Sequence, residues 1–133
     1  MRRVAGILVS LVALGEIAVG VVLVLFPETV VEFLLGARVG PSGTLIARMA
    51  ALAITALGLA WWEDRNSHDR ARLRQVAIGF VGYNVGVGLL FLAYAWGADR
   101  LLPFAWLVGI AHTLAGIAFA VVVYRTPPVA TTG

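Results

Sequence analysis

Val4-Ala5-Gly6-Ile7-Leu8-Val9-Ser10-Leu11-Val12-Ala13-Leu14-Gly15-Glu16-Ile17-Ala18-Val19-Gly20-Val21-Val22-Leu23-Val24-Leu25-Phe26 is an apolar run interrupted by a single charge, Glu16. A run of ~20 apolar residues rising ~1.5 Å each spans the ~30 Å hydrocarbon core of a bilayer. This stretch therefore reads as a first transmembrane helix, and the fold as an all-α integral membrane bundle. A carboxylate near the centre of such a helix costs on the order of 2.5–3.5 kcal/mol to insert, so Glu16 calls for a partner or a task. Met1-Arg2-Arg3 resembles the start of a signal peptide. The apolar run is longer than a typical h-region, however, and no cleavage site with a polar mature domain follows.

The remaining composition agrees. Of 133 residues, 61% are hydrophobic and 13% charged, well outside the usage of soluble domains. All ten basic residues are arginines, set mostly at the ends of apolar runs. They read as topology determinants rather than as a nucleic-acid surface. Cysteine is absent, which excludes disulfides, thiolate metal sites and cysteine nucleophiles, and two histidines make metal or haem chemistry improbable. No cofactor and no metal are expected.

Four spans are expected, over residues 4–26, 44–62, 76–96 and 102–124, in a single domain of residues 1–133. Pro27 ends the first because proline cannot continue the helical ladder. Residues 28–36 are too short to cross and carry two glutamates, a bulky apolar set and a terminal glycine, the pattern of an interfacial helix. Ser42 or Thr44 can cap the second span after the turn Gly40-Pro41-Ser42-Gly43. Residues 63–75 form the one strongly polar connection, and His68-Asp69 reads as part of this solvated loop. The double Trp61-Trp62 reads as a boundary anchor. Arg2, Arg3, Arg65, Arg70, Arg72, Arg74 and Arg125 fall on one side, against Arg38 and Arg100 on the other. That bias predicts cytoplasmic N and C termini and a cytoplasmic central loop.

The halves resemble each other. Glu16-Ile17-Ala18-Val19-Gly20 aligns with Asn84-Val85-Gly86-Val87-Gly88 at an offset of 68 residues, and Ile46-Ala47-Arg48 aligns with Ile110-Ala111-His112 at an offset of 64. A duplication would relate two helix pairs as a parallel repeat about an axis along the membrane normal. The alternative is coincidence among Val-, Ala-, Leu- and Gly-rich spans.

Each span carries one conspicuous polar residue: Glu16, Arg48, Asn84 and His112. At ~100° per residue, Gly6, Ser10, Glu16 and Gly20 share one face of span one. Arg48, Ala51, Thr55, Gly58 and Trp62 share a face of span two, and Ala105, Gly109, His112 and Gly116 one of span four. Small residues mark close helix contact in membranes, so these polar groups are expected to face inward. Span three divides its small residues. Asn84 and Gly88 lie on one face, and Gly79, Gly82 and Gly86 nearly opposite, a second packing face suited to a homodimer. Two readings of the polar set stand. In one, Glu16 and His112 handle a proton, with Arg48 as electrostatic partner or anion contact and Asn84 as hydrogen-bonding ligand. In the other, Glu16 pairs with Arg48 and the cluster stabilises the bundle.

With four spans, a carboxylate in the first, and Ala47-Arg48 followed by Leu57-Gly58-Leu59-Ala60-Trp61 in the second, the chain resembles the DoxX-like group of small bacterial four-helix inner-membrane proteins. That resemblance implies a multi-pass plasma-membrane module, sometimes associated with redox or respiratory partners, more readily than a stand-alone enzyme. Leu14-Gly15-Glu16 followed by Ile17 and a small-residue face is also similar to the first helix of small multidrug resistance transporters. By that likeness Glu16 would be the coupling residue of a proton-driven exporter of hydrophobic or cationic molecules. The strong arginine bias departs from the dual topology of that family. A third class is a membrane enzyme acting on a lipid or isoprenoid with Glu16 or His112 as general acid/base. No GxSxG, HExxH or phosphate-loop motif accompanies them.

Overall fold

Inside a bilayer there is no water to satisfy backbone amides, so each long apolar run must close its own hydrogen bonds as a helix. In the computed structural model, which describes residues 2–65, 70–99 and 101–124, this takes the form of five helices. They are α1 (Arg2–Leu25), α2 (Pro27–Leu35), α3 (Pro41–Asp64), α4 (Arg70–Trp96) and α5 (Pro103–Tyr124). The described residues contain no strand. Segments Gly6–Leu25, Pro41–Asp64, Gln75–Trp96 and Pro103–Val123 are long and apolar enough to cross a membrane, the make-up of a multi-pass membrane protein. His68-Asp69 and the tail from Arg125 lie outside the described residues.

Proline sets three of the helix starts. Pro27, Pro41 and Pro103 each open a helix, where the missing N–H would have no intrahelical partner in any case. Helix α3 accordingly begins at Pro41 rather than at Thr44, with Gly40 as its N-cap and no side-chain cap from Ser42 or Thr44. The Thr44 hydroxyl is instead 3.3 Å from Glu28 Oε1 and donates to it across to α2. Gly36 ends α2 in the left-handed conformation, φ 63°, donating its N–H to the Glu32 carbonyl at 2.8 Å.

Two helix pairs make the closest contacts, α1 with α3 and α4 with α5. Both depend on glycine in the same way. A Cβ at Gly20 would lie 2.8 Å from the Ala51 carbonyl oxygen and nearer still to Thr55 Oγ1; one at Gly88 would lie 2.8 Å from the Gly109 carbonyl oxygen and nearer still to Thr113 Oγ1. A Cβ at Gly58 would lie 3.1 Å from Ile17 N, and one at Gly116 3.3 Å from Val85 N, in the corresponding places. Thr55 and Thr113 each return their hydroxyl to the carbonyl one turn back, Ala51 and Gly109, at 2.8 Å. These matching contacts recur at an offset of 68 residues in the first helix of each pair and 58 in the second. By these contacts Ile54, rather than the Arg48 of the 64-residue register, corresponds in place to His112. Composition misleads here, because Ile-Ala recurs freely in apolar helices whereas a glycine facing a threonine requires contact.

All four long helices meet in one core of Val9, Ala13, Trp61, Ala77, Phe80 and Phe119. Trp61 is only 3% exposed, its ring 4.8 Å from that of Phe80 and 5.4 Å from that of Tyr83. It is a core residue, not a boundary anchor, because the helical phase of α3 turns Trp61 fully inward and leaves Trp62 at the edge of the core. Trp62 is partly buried beneath the Arg65 guanidinium, 3.8 Å above its ring. Helix α2 lies across one end of the bundle and ties the two pairs together there. Val30 and Val31 pack on Leu23, Ala47 and Ala51, while the Phe33 ring sits 3.8 Å from that of Phe104. Tyr94 donates its hydroxyl to the Leu35 carbonyl at 3.1 Å.

Candidate functional site

The α1–α3 pair places Glu16 on the face turned toward α4 and α5. Gly20 on α1 and Gly58 on α3 allow the two helices to touch, and with Ala13 and Gly20 facing inward one turn to either side, Glu16 must face inward too. Glu16 is 6% exposed. Both of its oxygens have partners on the other pair: Tyr83 of α4 donates its hydroxyl to Oε2 at 3.0 Å, and His112 Nε2 of α5 lies 3.1 Å from Oε1. Three helices from both pairs thus converge on one carboxylate.

The hydrogen-bond pattern assigns a proton. His112 Nδ1 is 3.1 Å from the Val108 carbonyl, which can only accept, so Nδ1 carries a hydrogen. A 3.1 Å contact between Nε2 and Oε1 then needs one proton between them, on nitrogen with a carboxylate opposite or on oxygen with a neutral ring opposite. Either way Glu16 and His112 together bear no net charge, and Tyr83 donates to the second oxygen in both arrangements. Such neutrality is what a low-dielectric interior favours, since an isolated ion there would be far costlier. The His112 side chain keeps 23% of its surface exposed against 7% for Glu16, so the imidazole is the more accessible member of the pair.

The other expected members sit elsewhere. Asn84, 1% exposed, occupies the position in α4 that matches Glu16 in α1, but its Nδ2 donates to the Phe80 carbonyl of its own helix at 2.9 Å. Arg48 does not reach Glu16. Its Nε donates to the Val24 carbonyl at 3.3 Å, and Val24 lies about two turns, ~12 Å, along α1 from Glu16. The reason is geometric: side chains lean toward the N-terminus of their helix, and for α3 that direction leads away from Glu16. Arg48 instead satisfies a carbonyl in the last turn of α1, where Pro27 interrupts the ladder and the helix dipole favours a cation. Of the two pairings that the sequence offers, Glu16 with His112 is brought together, with Tyr83 added, and Glu16 with Arg48 is not.

Tyr83 escaped sequence reasoning. Beside Asn84 in an aromatic-rich run it has the look of packing, and its hydroxyl gains meaning only when α1 crosses α4. Its one signal was its place on the same side of α4 as Ala77 and Phe80, both fully buried in the shared core. Gly79, Gly82 and Gly86 fall outside the site: a Cβ on any of them would meet nothing within 4 Å. No group of three or more potential metal-ligating side chains occurs among the described residues. A groove of about 580 Å³ lies at the α2 end among Leu35, Gly36, Tyr94, Asp99 and Leu102, away from Glu16. Compared with protein families, curated proteins and solved structures, the chain finds no match.

Proposed function

We propose that this protein is a small non-enzymatic module of the bacterial plasma membrane, DoxX-like in layout, whose two helix pairs are clasped by a proton-holding centre of Glu16, His112 and Tyr83. The observation that carries this reading is the bonding of both Glu16 oxygens, one to each helix of the opposite pair. A titratable clasp couples the proton on Glu16–His112 to how firmly the pairs are held. In this reading both termini face the cytoplasm, following the arginine bias, and the pairs descend from a duplication in which Asn84 kept the position but not the charge of Glu16. The matching Gly20–Thr55 and Gly88–Thr113 contacts support that descent. The open face of Gly79, Gly82 and Gly86 is where a second copy would pack.

Infrared difference spectroscopy of the protein in lipid nanodiscs tests the centre across a pH titration. A carboxyl stretch that changes with pH, disappears in Glu16→Gln and shifts in His112→Gln is the expected result. A spectrum without a Glu16-dependent change would remove the proton from the proposal and leave a purely structural clasp.

A second reading is favoured by the same shared proton: an exporter in which Glu16 exchanges a proton for a small hydrophobic or cationic molecule. It requires that Glu16→Gln abolish substrate-dependent proton movement in proteoliposomes while the protein stays folded. Unchanged efflux with that variant ends it.

A further inference from the structure

Arg48 and Glu28 are two opposite charges at the seam where the α1–α2 elbow meets α3. Arg48 lies about 10 Å along α3 from Pro41, inside the segment long and apolar enough to cross a membrane, yet it is exposed. Its guanidinium leans toward the α2 end, with Nε held by Val24. Among the described residues that is its one hydrogen-bond partner, which leaves the donors of the two Nη groups for a ligand. Glu28 lies just past the elbow, in the first turn of α2, and its Oε1 accepts from the Thr44 hydroxyl, Thr44 itself preceding Arg48 by one turn on α3. The carboxylate is exposed, and the two charges form no ion pair with each other although the same two turns hold both.

A guanidinium exposed at this depth needs a counter-charge, and the acyl-chain side of the seam is lined by exposed Met49 and Leu52. We infer that this seam binds one phospholipid bearing both a phosphodiester and a primary ammonium, phosphatidylethanolamine, with the phosphate on the Arg48 Nη groups and the ammonium on Glu28. A fork of parallel guanidinium donors suits a phosphate oxygen pair, and the carboxylate suits an ammonium that can donate hydrogen bonds. The order of the charges agrees: the phosphate is the deeper group of the lipid headgroup, and Arg48 is the deeper residue. Choline, having no N–H, would give Glu28 no hydrogen bond beyond that from Thr44, and a glycerol headgroup would leave it without a cation.

The test is native mass spectrometry of protein released from nanodiscs that contain equal parts of phosphatidylethanolamine, phosphatidylcholine and phosphatidylglycerol. The wild type should retain phosphatidylethanolamine about tenfold over phosphatidylcholine, the scale of one charge-assisted hydrogen bond. Glu28→Gln, a change at an exposed residue, should erase that preference and raise phosphatidylglycerol relative to it. Arg48→Gln should lower retention of both. Equal retention of the three lipids by wild type, or an unchanged preference in Glu28→Gln, would overturn the proposal, and the second variant keeps it open to refutation should Arg48→Gln fail to fold. Displacement of the bound lipid by soluble phosphoethanolamine at equal concentration would overturn it as well, because the acyl chains would then contribute nothing.

Discussion

Removing the carboxylate while keeping its neighbours tests the clasp most directly. Glu16→Ala deletes both interhelical bonds, 3.0 Å to Tyr83 and 3.1 Å to His112, and strands their donors in a largely buried site. In water-soluble proteins a stranded buried donor costs about 1–3 kcal/mol. In membranes, interhelical hydrogen bonds average about 0.6 and reach about 1.7 kcal/mol, because the separated helices find other partners. Two bonds on the membrane scale give about 1–3.5 kcal/mol, and the lost packing of the side chain brings the expected destabilisation to about 2–4 kcal/mol. Glu16→Gln behaves differently. Its amide oxygen accepts from Tyr83 and its NH₂ donates to a neutral His112 ring whose Nδ1–H stays on Val108, so both bonds survive at a cost below about 1 kcal/mol. Equilibrium unfolding in mixed micelles, followed by circular dichroism, measures both. Tyr83→Phe combined with Glu16→Ala should be less than additive by about 1 kcal/mol, since both remove the same bond. Equal destabilisation by Gln and Ala, or strict additivity of the double variant, would refute the clasp.

Two further outcomes follow from helix contact. Gly20→Ala and Gly88→Ala drive a methyl against a backbone carbonyl 2.8 Å away that cannot rotate aside, and each should destabilise by about 1–3 kcal/mol in the same unfolding assay. Gly82→Ala meets nothing within 4 Å and should be neutral or stabilising by up to ~1 kcal/mol in the monomer through helix propensity; its loss of disulfide cross-linking between copies that carry one introduced cysteine on that face of α4 would mark the face as a dimer contact.

The spans were legible because apolar length leaves the backbone one solution, and Glu16 and His112 were legible because ionisable groups in such spans cannot face lipid cheaply. Their inward orientation followed from sharing a face with Gly20 in one helix and with Gly109 and Gly116 in the other. Which of the two candidate partners, His112 or Arg48, meets Glu16 was not legible. Charge alone nominates Arg48, the one cation inside a span, and the sequence carries no sign of which way a long side chain reaches. The lean of Cβ toward the start of α3 sends Arg48 to the end of α1 and away from the carboxylate. The likeness between the two helix pairs was half legible: the first helices align on an acid and its amide, whereas the second align only through the glycine–threonine contacts.

What the sequence by itself determined is a set of four membrane-crossing helices, the prolines that punctuate them, and the expense of a carboxylate in the first. Periodicity and transfer free energy act within one helix, so one helix suffices to read them. Tertiary structure alone decided that Tyr83 and His112, rather than Arg48 and Asn84, complete the site. Hydrogen bonding depends on crossing geometry to within a fraction of an ångström, and that geometry is set by which glycines let α1 meet α3 and α4 meet α5.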